Sequence, residues 1–83
     1  MKNGKLLGRI RRKRQNVRFD DFVRLVKAVG FKEDRQAGSH RMFHHECGAV
    51  LNLQQERGEA KPYQIKQFIE MVDSYGLNEE MGK

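Results

Sequence analysis

The sequence predicts an α+β domain in which two helices pack on one face of a three-stranded antiparallel sheet. Three observations predict it. Apolar residues recur at helical spacing in two separate places, Phe22-Leu25-Val26-Val29 and Ile65-Phe68-Ile69-Val72. Between them the period falls to two, in three short runs divided by glycine-containing turns. Each helix then has one apolar stripe and the sheet one apolar face, so packing both helices on that face buries the most with the fewest layers.

The chain begins with a basic segment. Residues 1–18 hold eight of the 17 basic residues (Lys2, Lys5, Arg9, Arg11, Arg12, Lys13, Arg14 and Arg18) and no acid. Leu6, Leu7 and Ile10 are mixed into it. Two forms fit: a short helix that packs those three side chains on the domain, or a frayed arm. The first helix of the domain follows at about Asp21–Val29. Asp20 reads as its N-cap, Phe19 as a staple residue outside the cap, and Gly30 as the left-handed residue that closes it.

Strands are expected over Phe31–Arg35, Arg41–His45 and Ala49–Leu53. The gaps contain Gln36-Ala37-Gly38 and Glu46-Cys47-Gly48, each suited to a three-residue hairpin loop ending in a left-handed glycine. With such loops Phe31 falls opposite Phe43, and Phe43 opposite Leu51, while Ala49, Leu51 and Leu53 share their face. A two-residue register would place Phe43 against Lys32 and Asn52 and bury polar groups, so the three-residue register is preferred. The other face then carries His40, Met42 and His44, with Val50, Asn52 and Gln54 across from them and Asp34 opposite His40. This face is polar enough to meet water, which an antiparallel sheet tolerates.

Gln54–Lys61 reads as a polar loop. Pro62 suits the first turn of the second helix, and Gly76 stops it. Residues 78–83 are expected to fray. The organisation is therefore a basic segment at 1–18, a domain at 19–77 and a loose end at 78–83.

With 83 residues, 37% of them hydrophobic and 34% charged, the chain has room for one small domain with a thin core. The net charge of +6 is unevenly distributed. Outside the basic segment, nine basic residues face all 11 acidic ones, a net of −2. A basic tail suits nucleic acid or an acidic protein partner, or serves solubility alone. The single cysteine, Cys47, has no internal disulfide partner. No apolar run follows the basic start, as a signal peptide requires, and none spans a bilayer. A cytoplasmic protein without membrane contact is expected.

The run Arg35-Gln36-Ala37-Gly38-Ser39-His40, with Phe43 three residues on, resembles the HicA family of toxin ribonucleases. The turn His45-Glu46-Cys47-Gly48 and the order helix, three strands, helix are similar too. The resemblance spans roughly Phe19–Leu77, leaving the basic segment outside it. It implies a double-stranded-RNA-binding-domain-like fold, α-β-β-β-α, and an endoribonuclease (mRNA interferase) that cleaves messenger RNA and inhibits translation. It also implies that His40 is catalytic and that a cognate antitoxin of the HicB type covers it.

The chemistry that His40 would supply is elementary. RNA carries its own nucleophile, the 2′-hydroxyl. Cleavage needs a base for that proton, an acid for the leaving 5′-oxygen, and cations or N–H groups for the phosphate. An unperturbed imidazole titrates near ~6.5, so it serves as base near neutrality without a metal or other cofactor. Gly38 and Ser39 contribute geometry and donors beside it. His44 lies further along the same strand face, as a second phosphate contact or proton donor, or as an ordinary surface histidine. Arg35 either reaches a phosphate or pairs with an acid, and Arg41, directly after His40, is a further expected RNA contact. Asp34 would either orient the imidazole or be an ordinary surface acid. Lys61 sits where a helix N-terminus favours anions, with Lys66 beyond it. Tyr63 and Gln64 suit base or sugar contacts. A zinc site of His40, His44, His45 and Cys47 is disfavoured, because His45 points to the opposite face and Cys47 lies in the turn. The competing reading is an RNA-binding module that has kept the fold without activity.

Overall fold

The computed structural model describes residues 3–77. Its elements are α1 (Asn3–Arg12), α2 (Phe19–Ala28), β1 (Lys32–Ala37), β2 (His40–His44), β3 (Val50–Leu53), β4 (Gln55–Glu56), β5 (Glu59–Ala60) and α3 (Pro62–Tyr75). β1, β2 and β3 form an antiparallel sheet in that order. The α-β-β-β-α order of the double-stranded-RNA-binding-like fold is present, with one helix added before it and one hairpin inserted. The expected fraying of residues 78–83 lies outside the described residues.

Of the two forms open to the basic segment, the structure takes the helix. Leu6 and Ile10 are buried in the same core as the rest of the domain, and Leu7 packs at its margin. Arg11 ties α1 to α3 by two hydrogen bonds to Asp73, at 2.8 and 3.2 Å. Those bonds hold the Asp73 carboxyl below the usual range.

Helix α2 starts two residues earlier than expected, and Asp20 does not cap it. Arg18 occupies the N-cap position and offers no side-chain bond. The start is set instead by backbone pairing with the β4–β5 hairpin. Phe19 N–H donates to Gly58 O at 2.9 Å, and Ala60 N–H donates to Val17 O at 2.8 Å. Asp20 and Asp21 remain in the first turn, where they complement the helix dipole. Gly30 follows the helix at φ 109°, as expected.

The β2–β3 turn has the three-residue form predicted, with Gly48 at φ 99° and His45 N–H bonded to Ala49 O. Phe43 pairs with Leu51. The β1–β2 register differs from the expected one. Ala37 pairs with His40 across the two-residue turn Gly38-Ser39, and a bulge at Asp34 shifts the pairing so that Glu33, not Phe31, faces Phe43. Asp34 is therefore not opposite His40. Phe31 precedes the strand and packs its ring against His45 and Phe68, at 5.2 and 6.1 Å between centroids.

The predicted loop 54–61 is a hairpin. Arg57 and Gly58, at φ 54° and 81°, make a two-residue turn with both residues left-handed, the form that matches strand twist. Helix α3 begins at Pro62 and stops at Gly76, φ 67° and ψ 34°. Ile65, Phe68, Ile69 and Val72 face the core, where Phe22 meets Phe68 edge-on at 5.4 Å. Phe22, Phe31, Phe43 and Phe68 are fully buried, each contributing about 1.5–3 kcal/mol of burial.

Candidate active site

The open sheet face is built by strand alternation. His40, Met42 and His44 of β2 point to it, as do Val50 and Asn52 of β3. The Asp34 bulge changes the phase of β1, so that Arg35 stands across from Met42 on this same face. His40, His44, Arg35 and Asn52 are all exposed.

Among the described residues, His40 has one partner within hydrogen-bonding distance. Its Nδ1 lies 3.3 Å from Oδ1 of Asn52. An amide oxygen only accepts, so in this contact Nδ1–H is the donor. Asn52 therefore fixes the orientation of the ring and leaves its Nε2 edge free of this contact.

A chain of polar side chains runs from the β1–β2 turn to the start of α3. Gln54 Nε2 donates to Ser39 Oγ at 2.8 Å, and Lys61 Nζ donates to Gln54 Oε1 at 2.9 Å. Gln54 N–H donates to Gln64 Oε1 at 3.0 Å, and Gln64 Nε2 to Tyr63 OH at 3.2 Å. Gln54 thus brings Lys61 to the residue that precedes His40, although the two are far apart in sequence. Pairing in β2–β3 places Asn52 and Gln54 on the histidine face, but sequence alone assigned them no task. Amides adjacent to a candidate base were the available signal.

The expected site residues divide into three groups. His40, Ser39, Gly38, Arg35, His44 and Lys61 share or border the open face, with Gly38 at φ 61° shaping the turn. Tyr63 is exposed at the start of α3, and Lys66 is exposed further along that helix. Arg41 and Gln64 turn inward. Arg41 forks onto Glu33 through Nε and Nη2, both at 2.8 Å, and its guanidinium lies 5.6 and 5.7 Å from the ring centres of Phe19 and Phe43. Its hydrogen bonds hold the Glu33 carboxyl below the usual range, and Glu33 raises the guanidinium in turn. Gln64 is buried and bound to the Gln54 backbone. Both side chains are committed to holding the fold.

His45 is buried on the far side of the sheet. Its Nε2 donates to Val29 O and its Nδ1 accepts from Cys47 N–H, both at 3.0 Å. With both ring nitrogens engaged, it locks the end of α2 to the β2–β3 turn and has no free position for a ligand.

A three-stranded sheet with helices behind it and an exposed, amide-held histidine in front defines a double-stranded-RNA-binding-like domain carrying a polar site on its open face. Residues 19–73 match the family described as the HicA toxin of bacterial toxin-antitoxin, and the chain belongs to that family. It is thus a toxin of such a system, and an antitoxin is its counterpart. No curated protein and no solved structure gives a significant match. Helix α1 and Tyr75 lie outside the matched residues. Among the described residues, no helix is long and apolar enough to cross a membrane.

Proposed function

We propose that the protein is a metal-independent endoribonuclease that cleaves messenger RNA in the cytoplasm and stops translation, with His40 as general base. The observation that carries this reading is the exposed His40 with its Nδ1 3.3 Å from Oδ1 of Asn52. Nε2 removes the 2′-hydroxyl proton. The 2′-oxygen attacks the adjacent phosphorus, the P–O5′ bond breaks, and a 2′,3′-cyclic phosphate remains. The 5′-oxygen leaves with a proton supplied by water. His44 lies four residues along β2, roughly 13 Å away by strand rise, and contacts a neighbouring phosphate. Arg35, Lys61 and the Gly38-Ser39 turn offset charge on the phosphate. Tyr63 and Lys66 extend the contact along α3. The nucleophile belongs to the substrate, so the step calls for no metal. The cognate antitoxin, of the HicB type, neutralises the toxin by covering the open sheet face.

His40→Ala is the deciding variant. Cleavage of a defined single-stranded RNA, in chelator, and growth arrest are both expected to vanish while the far-ultraviolet spectrum and antitoxin binding persist. Unchanged toxicity would overturn the enzyme reading and leave a non-catalytic RNA-binding module.

A further inference from the structure

A groove of about 480 Å³ lies between β3 and α3, at the edge of the open sheet face. Val50 and Asn52 line it from the strand, and Gln67, Glu70, Met71 and Tyr75 from the helix. We propose that this groove is a nucleobase pocket that selects guanine beside the scissile bond. The proposal rests on the ribonuclease reading and adds to it the base that is recognised.

Three observations carry it. The first is continuity: Asn52 lines the groove and also holds His40, so a nucleotide whose phosphate meets His40 has its neighbour at the groove mouth. The second is surface type. Tyr75 and Val50 are each 51% exposed, large apolar surfaces left open to water in a small domain, and Met71 packs between the groove and the core. An aromatic face beside an aliphatic wall is what a planar base stacks upon. The size is that of a small-ligand site. The third is charge. Among the described residues, the one charged group lining the groove is Glu70, which repels phosphate and so directs the base, not the backbone, inward. An ionised carboxylate only accepts hydrogen bonds. It therefore favours the base edge with two adjacent N–H donors, N1–H and the 2-amino group of guanine. The Gln67 amide and the Asn52 amide nitrogen line the same groove and offer groups for the remaining polar atoms.

The test uses the full chain on a pool of short single-stranded RNAs of mixed sequence, with the cut ends sequenced. Wild type is expected to enrich guanine at one fixed position beside the cut. Glu70→Gln should reduce that enrichment about fivefold or more while other sites are still cut. Tyr75→Ala should lower kcat/KM roughly tenfold, as loss of one base stack does. Cleavage by wild type without guanine enrichment, or both variants cutting with the parental pattern and rate, overturns the proposal. A second measurement separates it from the ribonuclease reading. His40→Ala protein is titrated with pentauridylate, and with the same pentamer bearing one central guanosine, and followed by NMR. Guanosine-specific shifts at Tyr75 and Gln67 support the pocket even where no RNA is cut, and their absence overturns it even where RNA is cut. A Tyr75→Ala protein that cleaves normally but escapes its antitoxin marks the groove as a protein interface and also overturns it.

Discussion

His40 and Arg41 are adjacent, both polar, and have opposite fates. Strand alternation sends the imidazole to water and the guanidinium to the rim of the core, where Glu33, Phe19 and Phe43 enclose it. A half-buried arginine in this setting needs a fork-shaped acceptor, and Glu33 is there because the Asp34 bulge brings it opposite Phe43. This pair makes a pH prediction. The Glu33 carboxyl is held below its unfolded value, chiefly by hydrogen bonds from Arg41. Its stabilisation is therefore fully present above the unfolded carboxyl range near ~4.3 and is lost as pH falls through the lower folded value. Glu33→Gln should cost about 1 kcal/mol at pH 7, a typical value for a well-aligned but partly exposed pair. Urea midpoints of parent and variant should converge below about pH 4. A gap that persists at low pH would mean that the pair is not the source.

At the level of elements, periodicity was enough for α2, α3 and the three main strands, because each buries one face and burial leaves a pattern. Phe43 against Leu51 and the His40, Met42, His44 face were legible for the same reason. What escaped was decided by contacts distant in sequence. The start of α2 depends on backbone bonds to Gly58 and Ala60, about forty residues on, so Asp20 looked like a cap with nothing local to contradict it. The Arg57-Gly58 turn was hidden because arginine is seldom left-handed. The Asp34 bulge leaves no composition signal, and it moved Asp34 away from His40. Gln54 as the link to Lys61 was invisible until the hairpin folded back. Helix α1 was legible only as an alternative, and its place in the core is testable. Ile10 is completely buried, so Ile10→Ala should cost about 2–4 kcal/mol. That is a large part of the stability of so small a domain. Leu7→Ala, at the margin, should cost less than half as much. Equal, small losses in chemical denaturation would mean a frayed arm.

The whole molecule has to hold a polyanion, yet residues 19–83 carry two more acids than bases. The excess positive charge is in α1 and the turn after it, where Arg12, Lys13 and Arg14 are exposed. That turn is not remote from the chemistry. Gln15 and Asn16 share a cleft with Lys61 and Pro62, and Lys61 reaches Gln54, which touches Ser39 beside His40. The basic cluster therefore lies at one end of a path that finishes at the histidine. Glu56 and Glu59 line the same cleft, so a strand following this path passes over the rim of the cations and not through the cleft floor. Deleting the segment would remove Ile10 from the core and confuse grip with folding. The clean variant is Arg12, Lys13 and Arg14 changed together to glutamine, which leaves the buried side chains in place. Each phosphate contact on a single strand contributes about 0.7 to the slope of log affinity against log salt. Loss of three should flatten that slope by about 2, with the largest fall in affinity at low salt. Cleavage at saturating RNA should stay near the parental rate, because neither His40 nor Asn52 is touched. An unchanged salt slope would assign the grip to Arg35, Lys61 and Lys66 on the sheet side and leave α1 a purely structural helix.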